Sequence, residues 1–413
     1  MLRLILGRAG TGKTALLFSE IAARCARRQS GSFLIVPEQY SHEAERELCA
    51  VCGDGLSLYA EVLSFTGLAR EISSECGGAA NEYLDKGGRL LCMALAADGL
   101  YSRLRVYGAA RRKAELQTML LGAVDEFKSA CVTSERLMQA SEACEGALGD
   151  KLHDLGLILE AYDGVVANGR ADPSDRLSVL AQQIGQCSMS ERTHVFVDGF
   201  TDFTAQERRV LEALLSKGVC LTVCLGCDEL HGGSEVFALS RITASALLKF
   251  AADNGIKAQT ERFGGESTKA KPLGEFAENM FSYRAVEAGD AQGRIKIISA
   301  ADTNAECEFA AAEAVSLVRD TGCRWRDIAV AVRGFDEYRA ALESAFEHYG
   351  VPLFMARRSD LLSKPLPAMI AAAYDIVCGG WEVDDVISYM RTGLTGLSPE
   401  DCDALENYIF KWQ

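Results

Sequence analysis

Gly7-Arg8-Ala9-Gly10-Thr11-Gly12-Lys13-Thr14 fits the phosphate-loop pattern G-x-x-x-x-G-K-[ST] at every fixed position. Glycines let successive backbone N–H groups curl around phosphate oxygens. The lysine of such a loop reaches the β- and γ-phosphates, and the hydroxyl after it suits Mg²⁺. The flanks agree. Residues 2–6 are a short apolar run that reads as a strand, and residues 14–28 place Leu17, Ile21 and Cys25 on one helical face. A loop leading into a helix N-terminus aims its amides at an anion. Gly7, Arg8, Ala9, Gly10, Thr11, Gly12, Lys13 and Thr14 are therefore the expected phosphate site, for ATP with Mg²⁺.

Outward from the loop, the strand–helix rhythm repeats. Residues 33–36 are a second apolar run stopped by Pro37, 43–51 have helical spacing, and 57–65 hold a third strand followed by a helix through Ile72. A βαβαβ order argues for a parallel sheet covered by helices. The rhythm then stops. From about 81 to 186 helix formers dominate, with amphipathic stretches at 89–97, 112–130 and 134–145, which predicts a helical insertion. Strand signals return at 193–197 and 219–225. A second αβ unit is expected from strand 294–299, helix 304–319, strand 328–332, helix 336–349 and extended 351–355. The chain stops within an expected helix and no closing strand follows, so it reads as the N-terminal piece of a longer protein.

Composition narrows the classes. With 413 residues, 48% apolar and 24% charged, and only 7 prolines, the chain is globular and large enough for two or three domains. A net charge of −15 excludes a polybasic coat, yet leaves room for nucleic acid in one local groove. No apolar run approaches a membrane span or a signal peptide, so the expected location is cytoplasmic and the 15 cysteines are expected as reduced thiols. Cys49-x-x-Cys52 lacks a second pair at zinc spacing. On a strand, Cys220 and Cys224 share a face that Cys227 does not, so these three read as core thiols.

A phosphate loop needs a partner carboxylate at the end of an apolar strand. Thr193-His194-Val195-Phe196-Val197-Asp198 supplies one, and Asp198 with Thr14 is the expected Mg²⁺ site. The next residue is Gly199, where active motors usually carry Glu; Asp202, Gln206 or Glu207 would have to substitute. Arg103, Arg105, Arg111, Arg112 and Lys113, interleaved with Tyr101 and Tyr107, are the densest basic cluster. It reads either as a DNA-backbone patch or as a solvated face. Gln39, after another strand end, either positions a water or caps the helix that follows.

The stretch Asp198-Gly199-Phe200-Thr201-Asp202-Phe203-Thr204-Ala205-Gln206-Glu207 resembles the D-G-F-x-x-F-T-x-Q-E segment of the AddB family, the B subunits of bacterial AddAB ATP-dependent helicase/deoxyribonucleases. The opening through Lys13, Val36-Pro37-Glu38-Gln39, Val62-Leu63-Ser64-Phe65 and Gly350-Val351-Pro352-Leu353-Phe354 are similar to further family segments. Asp327-Ile328-Ala329-Val330-Ala331-Val332-Arg333 resembles the fourth motif of UvrD-like motors. The resemblance runs through the whole chain in order. It implies a RecA-like domain 1A (1–80 and 187–290) split by a helical insertion 1B (81–186), then a partial RecA-like domain 2A (291–413). ATP would lie in the cleft and single-stranded DNA across the tops. By the same resemblance Ser64 and Phe65 touch DNA, although Phe65 reads equally well as core. Arg333 faces the γ-phosphate, or else pairs with Glu337. The resemblance also implies an A-type helicase–nuclease partner, with the family's iron–sulfur nuclease region and arginine finger beyond Gln413. Two other functions stay open: a P-loop small-molecule kinase, and a DNA-binding scaffold in which ATP is a clamp that is not hydrolysed.

Overall fold

Strands that are apolar on both faces need a layer of helices on each side, and the parallel sheet provides it. In the computed structural model β1 (Leu2–Gly7), β2 (Ser32–Ile35), β3 (Ala60–Leu63), β4 (His194–Val197), β5 (Cys220–Gly226) and β6 (Ala258–Arg262) form one sheet in the order β3-β2-β4-β5-β1-β6. Every pairing is parallel. The structure describes residues 1–53, 56–76, 83–110, 113–167, 169–264, 271–280, 293–355 and 361–412. They fall into two compact units, Met1–Ile295 and Lys296–Gln413. The first is α/β, with the parallel sheet of a RecA-like fold.

Residues alternate between the two faces of the sheet with period two. Leu4, Leu6, Ile35, Val195, Val197, Leu221 and Val223 enter one core, and Ile5, Leu34, Phe196 and Cys224 enter the other. The second core is roofed by α1 (Lys13–Ala26), α2 (Ser41–Cys52) and the short α3 (Leu56–Tyr59), which contribute Leu17, Ile21, Leu48 and Leu56. Leu68 and Ile72 of α4 (Phe65–Glu75) enter the first. The third strand is shorter than residues 57–65 because its first residues wind into α3. The edge strand β6 had no apolar signal: Ala-Gln-Thr-Glu-Arg is mostly exposed, and only its pairing with β1 makes it a strand.

The insertion is built on α5 (Lys86–Gly99), α6 (Ala114–Ser129), α7 (Ser134–Ala143) and α8 (Ala147–Val166). Met93, Leu120, Leu121, Val124, Leu157, Ile158 and Tyr162 form its own core. The chain returns earlier than the expected 187. Tyr83 bridges Ala171 in parallel, and Leu84 N–H donates to Ala171 O at 2.9 Å, so the outgoing and returning segments lie side by side there. After them α9 (Arg176–Gln183) brings Leu180 into the core of the sheet, and Ile184, Cys187 and Met189 follow it. Residue 81, the expected start of the insertion, lies outside the described residues, as does 291. Helices α10 (Ala205–Ser216), α11 (Ala238–Asp253) and α12 (Lys271–Asn279) complete the unit.

The second unit contains α13 (Thr303–Thr321), α14 (Phe335–His348), α15 (Pro365–Gly379), α16 (Val383–Met390) and α17 (Pro399–Trp412). Its described residues include no strand: 296–299, 328–332 and 351–355 run outside any hydrogen-bonded ladder. Without a neighbouring strand, Ile297 and Phe354 stay 94% and 89% exposed, while Ile328, Val332, Val351 and Leu353 pack on α13 and α14.

At the root of the insertion Asp172 is fully buried between two cations, Arg89 (3.0 Å) and Lys128 (3.1 Å), and accepts hydrogen bonds from Lys128 Nζ and from Ser174 N–H. Burial alone would raise its carboxyl, but the Ser174 amide, Lys128 and Arg89 outweigh burial and hold it below the usual aspartate range. A depressed carboxylate stabilises the fold above its unfolded pKa and loses that contribution as pH falls through the folded value. Asp172→Ala is expected to cost ~3 kcal/mol in urea unfolding at pH 7, the low end for a broken buried pair, because Lys128 keeps Asp163 and Asp175. A loss below ~1 kcal/mol, the ordinary value for an exposed pair, would show that the network does not hold the root of the insertion.

Candidate nucleotide-binding site

The turn from β1 into α1 is possible because Gly12, the residue before the helix, takes φ 90°, a left-handed conformation that a side chain disfavours. The loop is tied by its own groups. Lys13 Nζ donates to Gly7 O at 2.6 Å and Arg8 O at 2.9 Å, and Thr11 Oγ1 donates to Arg8 O at 2.9 Å. Burial pushes the Lys13 ammonium below the usual lysine pKa, against an upward pull from Cys224 and Asp198.

Asp198 follows β4, which β5 separates from β1. Even so, the two motifs meet: Thr14 Oγ1 donates to Asp198 Oδ2 at 2.6 Å. Asp198 is buried. Burial raises the neighbouring Cys224 thiol, so that cysteine stays protonated. A hydroxyl and a carboxylate are hard oxygen ligands of the kind Mg²⁺ takes together with phosphates. The donor set therefore fits Mg-ATP. Around it lies a cavity of about 690 Å³ whose walls include Ala9, Gly10, Gly12, Lys13, Thr14, Asp198, Phe200, Phe237 and Ser240. Phe237 and Ser240 come from after β5 and carried no motif. Ser240 Oγ donates to Thr201 O at 2.9 Å and so holds the loop after Asp198. The side chain of Arg8 points elsewhere, into an ion pair with Asp228 at 3.1 Å.

Gly199 has φ +82°, and a Cβ there would meet Pro37 Cδ at 3.1 Å. The left-handed backbone thus favours glycine, and the usual glutamate fits only if the Pro37 ring gives way. The expected substitutes are occupied. Gln206 is buried and donates to Ser174 O (2.8 Å) and Ser178 Oγ (3.0 Å). Glu207 closes a capping box at the start of α10, accepting from Thr204 N–H at 2.8 Å. Neither they nor Asp202 line the cavity, and Asp198 is the one carboxylate among its described lining residues.

The expected DNA contacts fare differently. Phe65 is 4% exposed and packs edge-on against Phe200 and Phe203, with ring centroids 5.5 and 6.1 Å away. It is core, and no ring face is open to a base. Ser64 caps α4, its hydroxyl accepting from Gly67 N–H at 3.1 Å. Gln39 lies exposed in a single 3-10 turn and makes no side-chain cap. In the basic cluster Arg111 and Arg112 lie outside the described residues; Arg103 and Lys113 are exposed, and Arg105 pairs with Asp150 at 2.8 Å. That loop is held by the buried Asp154, which accepts from the N–H groups of Arg105, Val106 and Tyr107. Arg333 is exposed in the second unit, and no ion pair joins it to Glu337 among the described residues. The described residues contain no cluster able to hold a metal through three His, Cys, Asp or Glu side chains, and Cys224 and Cys227 are buried in opposite cores of the sheet. No described helix is long and apolar enough to cross a membrane.

Proteins named as the B subunit of an ATP-dependent helicase/deoxyribonuclease are similar along the chain. The one from Acetivibrio thermocellus is 31% identical over 99% of this chain and 37% of its own length. Those of Desulforudis audaxviator and Heliobacterium modesticaldum are 34% and 33% identical, over 99% of this chain and 36% and 35% of theirs. The chain thus spans little more than a third of these relatives. A family model described as "ADDB, N-terminal" matches residues 4–276, which contain the phosphate loop, Asp198 and the whole insertion. On that match the chain belongs to the AddB family and corresponds to its N-terminal region.

Proposed function

We propose that this chain is the nucleotide-binding, helicase-like N-terminal part of the B subunit of an ATP-dependent helicase/deoxyribonuclease. It binds Mg-ATP and single-stranded DNA in the cytoplasm, in double-strand break processing and recombinational repair, with an A-type helicase–nuclease partner. The observation that carries the reading is the 2.6 Å contact of Thr14 with Asp198 beside Lys13, which brings two distant motifs together as a phosphate and Mg²⁺ site would require. Bound Mg²⁺ would supply charge neutralisation between the phosphates. The protein's own residues bind and orient: the loop amides hold phosphate oxygens, Lys13 adds a cation, and Thr14 and Asp198 hold the metal. The nucleotide acts here as a clamp more than as a fuel, because no second carboxylate among the described lining residues faces the cavity to orient a water. A small-molecule kinase is less well supported, since Lys13 is the one cation among the described residues lining this cavity, where a kinase needs an arginine-rich lid.

Two measurements test this. Calorimetry of the 413-residue chain with Mg-ATP should show binding. Single-stranded DNA should bind weakly, with affinity falling steeply as salt rises. Reversing the charges of Arg111, Arg112 and Lys113 should flatten the log–log salt slope by about 2, three contacts at ~0.7 each. An unchanged slope would place the DNA path elsewhere, and no DNA binding at low salt would remove DNA from the function of this region. The same chain should leave DNA undegraded with Mg²⁺.

A further inference from the structure

The phosphate loop has a second side. Across it from the Thr14–Asp198 cavity lies another of about 670 Å³, lined by Gly7, Arg8, Thr11, Asp228, Arg262 and Phe263, among others. Ala9 and Phe237 border both cavities, so the two are adjoining halves of one concavity. Strand order fixes what each half can hold. Asp198 follows β4, on the β5 side of β1, whereas Phe263 continues β6, on the opposite side. A nucleotide with its terminal phosphate at Lys13, Thr14 and Asp198 must direct its other end away from β4, toward β6.

The chemistry changes along that direction. The phosphate half offers amides, an ammonium and the Thr14–Asp198 oxygens, with Phe200 in its wall. The second half adds the half-buried ring of Phe263 to that of Phe237, which both halves share. Phe263 N–H donates to Leu6 O at 2.7 Å, extending the β6 ladder and fixing that backbone. Its ring lies where a Cβ on Gly12 would be 3.5 Å from Cε1, against the loop itself. Arg8, tied to Asp228, places its guanidinium 5.6 Å from the centre of the Phe237 ring. Flat rings beside a guanidinium suit a planar heteroaromatic base.

We propose that this second half is the nucleoside subsite, taking the base of a purine nucleoside triphosphate against Phe237 and Phe263. It rests on the nucleotide reading above. The test compares Mg-ATP with magnesium tripolyphosphate, which has the phosphates and no nucleoside, by calorimetry on the full chain. Wild type should bind ATP at least ~10-fold more tightly, the scale of one base–aromatic stack. Phe263→Leu, which keeps apolar bulk against the loop and lies outside the Thr14–Asp198 cavity, should lower ATP affinity ~10-fold and leave tripolyphosphate unchanged. Phe237→Ala, in the wall of both cavities, should weaken ATP more than tripolyphosphate. Equal binding of ATP and tripolyphosphate by wild type overturns the subsite while the phosphate site stands, and needs no variant to fold. Equal weakening of both ligands by Phe263→Leu also overturns it. Binding of neither ligand by wild type overturns the nucleotide reading and this subsite with it.

Discussion

Lys13→Ala should abolish Mg-ATP binding, by at least ~100-fold, and leave the melting temperature of the ligand-free protein within a few degrees of wild type. A hydrogen bond from a charged group contributes ~1.5–3 kcal/mol, and an ammonium between two phosphates makes at least two, so a hundred-fold loss is the lower bound. The stability side follows from what Lys13 does without ligand. Its ammonium sits on Gly7 O and Arg8 O, and burial lowers its pKa from the ordinary lysine value. A lowered pKa for a cation means that the ligand-free fold disfavours the charge relative to water. Removing that charge therefore relieves a burden at the same time as it loses two hydrogen bonds, and the effects offset. The charge is held for the phosphate rather than for the fold. Thermal denaturation with and without Mg-ATP gives a second readout, because a ligand bound only to the native state raises the melting temperature. Wild type should show that rise and the variant none. Equal affinity in the two proteins would remove the phosphate-loop assignment.

The parts of the site that follow local rules were legible. The strand, the loop and the helix run without interruption from Leu2 to Ala26, and Asp198 ends an apolar strand; both signals are short-range. What failed to show were features set by partners far away in sequence. β6 is Ala-Gln-Thr-Glu-Arg and becomes a strand only through β1. The return from the insertion is fixed by Tyr83 and Ala171 meeting, and by Leu180 and Ile184 packing under the sheet. Phe65 carried a strand-end position that suits a ligand contact, yet Phe200 and Phe203, far along the chain, cover it. In the second unit, apolar runs at 328–332 and 351–355 have strand composition, but composition does not supply the neighbour that a ladder requires.

Gly199→Glu, which supplies the residue that active motors carry after the metal-binding aspartate, should not produce a fast ATPase. Rapid turnover needs a phosphate cradle with Mg²⁺, a group orienting the attacking water, and a cation for the developing charge. Only the first is assembled among the described residues around the cavity. Gln206 serves Ser174 and Ser178, Glu207 serves Thr204, and Lys13 is the one cation among the described lining residues. Where no further cation reaches the γ-phosphate ~10³–10⁵ in rate is lost, so turnover well below ~1 s⁻¹ is expected for wild type, with or without single-stranded DNA. The substitution would not supply that cation, and the backbone opposes it as well. At φ +82° a side chain costs ~1–2 kcal/mol for the left-handed conformation. The new Cβ also starts 3.1 Å from the Pro37 ring, on the residue next to the Asp198 that accepts from Thr14. Gly199→Glu should therefore lower stability by ~1–3 kcal/mol and weaken Mg-ATP binding, with no gain in phosphate release. The measurement is steady-state phosphate release by wild type, Gly199→Glu and Lys13→Ala, the last reporting contaminating ATPase. Lys13-dependent turnover above ~1 s⁻¹ in wild type would show that the site hydrolyses ATP as it stands, and a large gain in a stably folded Gly199→Glu protein would show that the missing carboxylate alone held it back.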